Sequence, residues 1–161
     1  MPAKITLAPP RLWAASRRHS RLRFSKPALA RCLQLLDSRP GPHPPPGELS
    51  LAFLTDSALA QLHDQFLADP APTDVITFPG DPAAGLAGEI CLSVDRALAE
   101  STRRRCSFAR ELTLYLVHGW LHLAGLDDRT PAARRAMRRA ERRLLAAIAQ
   151  ARAWPDFRLR S

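Results

Sequence analysis

Two histidines four residues apart, His118 and His122, sit inside the apolar run ELTLYLVHGWLHLAGLDD at residues 111–128 and constrain this chain more than any other feature. Leu112, Leu116, Leu121 and Leu123 recur at helix-compatible spacing, so the run predicts a helix. On a helix the i, i+4 spacing stacks both imidazoles on one face, with Cβ atoms about 5–6 Å apart. Gly119 costs that helix roughly 1 kcal/mol relative to Ala. Gly125 then ends it, because glycine takes the left-handed position after a helix without strain. Asp127 and Asp128 follow the turn. Two His, a glycine turn and a carboxylate from Asp127 or Asp128 form the layout of an open three-ligand zinc site. The zinc-protease pattern H-E-x-x-H needs Glu after the first His. Gly119 stands there, which argues against protease chemistry.

The rest of the chain predicts an α/β layered domain over residues 1–161, with a small mixed sheet of about four strands and helices packed on it. Residues 4–7 (KITL) read as a first strand. Residues 17–23 are basic and irregular. Ser25 and Pro27 open a helix with Leu29, Leu33 and Leu36 on its apolar face, ending near Asp37. Residues 39–47 (RPGPHPPPG) form a loop, with His43 a loop residue. Residues 48–54 (ELSLAFL) read as a strand. Thr55, Asp56 and Ser57 enter a helix carrying Leu59, Leu62, Phe66 and Leu67, with His63 on its surface or behind the site. Residues 69–72 break the chain. Residues 75–78 (VITF) and 89–94 (EICLSV) read as strands that can pair across a long hairpin-like loop. Asp95 caps a helix through Glu100, Phe108 begins the histidine helix, and Pro131 opens a last helix with Met137, Leu144, Leu145 and Ile148 inward. The tail, residues 153–161, reads as a segment prone to fray.

The formal net charge is +9, and only Lys4 and Lys26 among 24 basic residues are lysines; the others are arginines. Such an excess favours polyanionic partners through counterion release. Arg134, Arg135, Arg138, Arg139, Arg142 and Arg143 recur as pairs every four residues along the last helix, with Glu141 alone among them. Arg103, Arg104 and Arg105 form a second cluster. Arginine forks suit phosphates. Trp120 is the one aromatic near the histidines, either a stacking platform or core. Cys32, Cys91 and Cys106 are dispersed, which fits free thiols in a reducing cytoplasm. No apolar run has the length of a secretory core or membrane span.

Three blocks together resemble the YbeY family of bacterial rRNA maturation factors, which are metal-dependent endoribonucleases. HGWLHLAGLDD resembles that family's H-G-x-L-H-L-x-G-x-D-H. Residues 72–79 (PTDVITFP) resemble P-T-D-V-L-S-F-P, and Gly88-Glu89-Ile90 resembles G-D-I. The blocks fall in family order, and the likeness spans roughly residues 48–150. It implies the same α/β architecture and a single-strand-specific, zinc-dependent endoribonuclease. Its partners would be ribosomal RNA and the small ribosomal subunit, in 16S rRNA 3′-end maturation and ribosome quality control. It also implies that Thr73 and Asp74 line the groove near the metal. Two positions depart from the pattern: Asp128 stands where the family carries its third metal His, and Leu67 where it carries an Arg. The alternative is therefore a catalytically weakened, metal-stabilised RNA- or ribosome-binding protein. Asp127 either orients a ligand or starts the next helix, and Glu89 is either a second cleft acid or a solvated strand end.

Overall fold

The computed structural model describes residues 10–67 and 73–161. The strand expected at residues 4–7 and the break at residues 69–72 lie outside the described residues.

A four-stranded sheet runs in the order β1 (Trp13–Arg17), β3 (Glu48–Leu54), β5 (Leu86–Ser93), β4 (Val75–Pro79). β1, β3 and β5 are parallel; β4 pairs antiparallel with β5, from Val75 opposite Leu92 to Pro79 opposite Gly88. The pairing expected between residues 75–78 and 89–94 is therefore present, and the mixed four-stranded sheet agrees with the sequence reading. β1 was not anticipated: Trp13–Arg17 has no strong apolar alternation, and pairing along β3 makes it a strand.

Side chains alternate between the two sheet faces. Leu49, Leu51, Phe53, Ile90 and Leu92 join one core with α1 (Lys26–Ser38), α4 (Phe108–Leu123) and α5 (Pro131–Gln150). Ala52, Leu54, Ile76 and Cys91 join a smaller core with Leu59 of α2 (Asp56–Leu67) on the other face. Burial pushes the Cys32 thiol up to about 12, and burial with neighbouring Glu89 does the same to Cys91, so both are protonated and inert.

Helix entries follow local chemistry. Ser25, Ser93, Ser107 and Thr130 each cap a helix with a side-chain oxygen that accepts a backbone N–H. Asp95 is thus not the cap of α3 (Val94–Arg104), which extends past Glu100 to Arg104. Asp95 lies in the first turn, where its carboxylate accepts from His19 Nε2 at 2.8 Å and from the Asp56 N–H at 2.8 Å.

The tail is packed rather than frayed. β6 (Arg158–Leu159) pairs with β2 (Leu22–Arg23), and Arg160 N–H donates to the Arg21 carbonyl at 2.8 Å. Phe157 is buried against Phe24 and Phe53 at ring-centroid distances of 5.6 and 5.4 Å. One buried aromatic is worth about 1.5–3 kcal/mol, enough to hold a short terminal segment.

Candidate metal centre

α4 carries the site because its two faces are chemically different. Leu112, Leu116, Val117, Trp120 and Leu121 turn into the core, leaving His118 and His122 three-quarters buried on a shared stripe. The helix ends where expected. Gly125 has φ 103°, its N–H donates to the His122 carbonyl at 3.0 Å, and Leu126 N–H donates to Leu121 at 3.1 Å. This pair of bonds is the Schellman ending, and it reverses the chain so that Asp128 returns over the histidines.

The three expected donors converge. His118 Nε2 and His122 Nε2 are 3.0 Å apart, and each is 3.6 Å from Asp128 Oδ2. One ligand atom from each lies within 4.8 Å of the others. Ligands at about 2.0–2.1 Å around a tetrahedral ion sit roughly 3.3 Å from one another, so the donor set fits a zinc-sized cation. Two imidazoles and one carboxylate also suit other divalent first-row ions.

Glu141 was noticed in the sequence only as the lone acid of the arginine-rich helix. In the structure its Oε1 lies 2.6 Å from His118 Nδ1. A carboxylate only accepts, so Nδ1 carries the proton and donates. That assignment leaves the Nε2 lone pair of a neutral His118 directed at His122 and Asp128. Burial opposes charge on His118, but the Glu141 hydrogen bond and the charges of Glu141, Asp74 and Asp128 outweigh it, and the imidazole is held above its ordinary value. The signal for Glu141 was its type: it is the one acidic residue in α5, on the same helical stripe as Met137, Leu144, Leu145 and Ile148.

Gly119 has a reason that periodicity does not supply. A Cβ there would lie 2.5 Å from Ile90 Cγ2 and 3.2 Å from Val75 Cγ1. The position faces the sheet, so a glutamate base of the zinc-protease kind has no room in this packing.

The remaining expected residues divide. Asp74 lies beside the site: its charge acts on His118, and its carbonyl accepts the Ser93 N–H at 2.9 Å, tying the β4 entrance to β5. Thr73 closes a local turn, donating to the Val75 carbonyl at 3.3 Å. Asp127 is exposed and accepts the Arg129 N–H at 3.1 Å, a turn role between α4 and α5. Glu89 is on the opposite face of the sheet. It lines a groove with Cys91, Leu62, Phe66 and Phe78, because strand alternation turns it away whenever Ile90 meets α4. It is therefore not a second acid at the histidines. α2, with His63, covers that same far face.

Trp120 is 2% exposed and belongs to the core, with His43 edge-on at 5.6 Å, so it offers no ring to a base. Arg103 and Arg104 are bonded to Glu100 at 2.6 and 3.3 Å, and Arg105 ends α3 in the left-handed region at φ 55°. Arg134, Arg135, Arg138, Arg139, Arg142 and Arg143 are exposed on α5.

Known proteins resemble this chain in sequence and in fold. Residues 21–149 match the family profile described as Endoribonuclease YbeY. Endoribonuclease YbeY of Chlamydia pneumoniae is 40% identical over 106 residues, covering 61% of this chain and 67% of that protein. The protein of the same name from Leifsonia xyli subsp. xyli is 36% identical over 118 residues, covering 66% and 76%. A Thermotoga maritima protein solved in solution superposes with a TM-score of 0.58 at 19% identity, covering 87% of this chain and 93% of that one, a likeness of fold.

Proposed function

This chain belongs to the YbeY family of endoribonucleases, which makes it an rRNA-processing endoribonuclease, and we propose that it cleaves single-stranded RNA with one zinc ion held by His118, His122 and Asp128. The observation that carries the metal reading is the convergence of two imidazole nitrogens and one carboxylate oxygen at 3.0–3.6 Å. A zinc ion there would supply Lewis acidity toward a phosphoryl oxygen and water acidified toward neutral pH.

The chain's own residues divide the remaining work. His118 and His122 present lone pairs from one rigid helix face, and Asp128 adds a negative ligand from the turn. Glu141 holds the His118 ring and its tautomer. Asp74 adds negative charge beside the imidazoles and anchors the strand entrance that borders them. No side chain at position 119 acts as a base, since that position is packed on β5. Arginines bind the phosphates that flank the cut. The proposed substrate is rRNA near the 3′ end of 16S rRNA, the partner the small ribosomal subunit, and the setting the cytoplasm, with residues 1–161 acting as one domain.

The test is metal content and cleavage together. The untagged protein should carry close to one zinc per chain, and the His122→Ala variant none. Cleavage of a single-stranded RNA should be lost with His118→Ala. A protein that binds RNA yet cleaves nothing with any divalent ion would instead be a metal-stabilised RNA-binding member of the family.

A further inference from the structure

The two arginine clusters are chemically unlike. In the α3 cluster, Arg103 and Arg104 share Glu100, and Arg104 also lies 3.6 Å from buried Glu111. On α5 the only acid, Glu141, is turned inward onto His118. Among the described residues, Arg135, Arg138, Arg139, Arg142 and Arg143 have no hydrogen bond or ion pair, and Arg134 reaches only the Asp128 carbonyl, at 3.3 Å. Five guanidinium groups therefore stand uncompensated on one helix.

Their placement has a direction. Taking the bearing of Glu141 as zero, a helix of 3.6 residues per turn puts Arg134, Arg138 and Arg142 at about 20°, 60° and 100° on the same side. These three form a row that begins at the Asp128 turn and runs along α5 in steps of about 6 Å. That step is of the order of the separation between successive phosphates in an extended single strand. Arg139 and Arg143 lie farther round, at about 160° and 200°. Trp120 is buried and offers no ring to a base.

We infer that the Arg134–Arg138–Arg142 row is a phosphate-tracking subsite: a single RNA strand lies along α5, held by its backbone and not by its bases, with its nearest phosphate at the Asp128 turn. The inference rests on the endoribonuclease reading and deepens it, because it assigns the path of the strand and excludes the α3 cluster from it. Each phosphate neutralised on a single strand contributes about 0.7 to the slope of log affinity against log salt.

The experiment uses metal-free full-length protein and a short 2′-O-methyl oligonucleotide, which cannot be cleaved through its 2′-hydroxyl, with affinity read by fluorescence anisotropy over roughly 50–200 mM salt. Arg138→Gln with Arg142→Gln keeps helix propensity and should flatten the slope by about 1.4. Arg103→Gln with Arg104→Gln should leave it within about 0.3 of the unsubstituted protein, and uridine and adenosine oligomers should bind alike. An unchanged slope in the α5 pair, or equal flattening by the α3 pair, overturns the row. Because binding is read without metal, absence of cleavage by the zinc-loaded protein would refute the enzyme reading while leaving this result intact, and the reverse also holds.

Discussion

Replacing Glu141 with alanine tests whether the site extends beyond its three converging donors. The bond from His118 Nδ1 is 2.6 Å, with the two side chains 24% and 15% exposed. It is a short, charge-assisted bond in a place water only partly reaches, which puts it among the stronger hydrogen bonds. Without it, the ring of His118 is free to rotate and to take the tautomer with its proton on Nε2. Loss of such a partner typically weakens metal binding about 10- to 100-fold, or about 1.4–2.7 kcal/mol. The burial of both groups places Glu141→Ala toward the upper end, while Glu141→Gln keeps an acceptor without charge and should lose about 10-fold. Titration of zinc against a competing chromophoric chelator reads the affinity, with thermal unfolding of the metal-free variants in parallel. A merely structural Glu141 would lower the metal-free melting temperature and leave affinity alone. Zinc affinity in Glu141→Ala within about twofold of the parent would refute the reasoning.

Gly119→Ala should destabilise the protein by about 1–3 kcal/mol despite alanine's better helix propensity, because its Cβ would press on Ile90 at 2.5 Å; denaturant unfolding measures it, and a stabilised variant would contradict the packing account. Phe157→Ala should cost about 3–5 kcal/mol, and a midpoint equal to the parent's would mean that the tail does not hold the core. Burial works against the Asp95 carboxylate, yet the Asp56 N–H, the His19 hydrogen bond and the charges of His19 and Arg21 hold it below the usual carboxylate value. A depressed native value gives stability present above the unfolded carboxyl value of about 3.9 and lost as pH falls through the native one. The melting temperature should accordingly drop more steeply below about pH 4 in the parent than in Asp95→Asn, and parallel slopes would disprove the coupling.

Much of the site was legible because its determinants are local. The i, i+4 histidines, the glycine that ends α4 and an acid just after it are set by helix geometry and chain reversal, so His118 and His122 could be named from spacing and residue type, whereas Asp128 rather than Asp127 was singled out by the resemblance to the family motif. The same holds for β3, read from the alternation of ELSLAFL, for β4, whose VITF run is β-branched and aromatic, for most of β5, and for the α5 face of Met137, Leu144, Leu145 and Ile148. Other features depend on partners distant in sequence. Trp13–Arg17 becomes a strand only by pairing with β3, and Phe157 docks only because Phe24 and Phe53 make room for it. Glu89 and Asp74 both read from sequence as acids at strand starts; the face that α4 covers puts Asp74 beside the histidines and Glu89, which lies inside β5, behind the sheet. Glu141 looked like a gap in a basic helix until α5 packed on α4 and brought it to His118, 23 positions away. Residue type and short-range periodicity thus determined which groups can ligate and how this chain's helices begin and end. Which charges are neutralised, which ring is buried and which carboxylate supports a ligand were decided by packing between distant elements, because burial and hydrogen bonding are properties of the assembled layers.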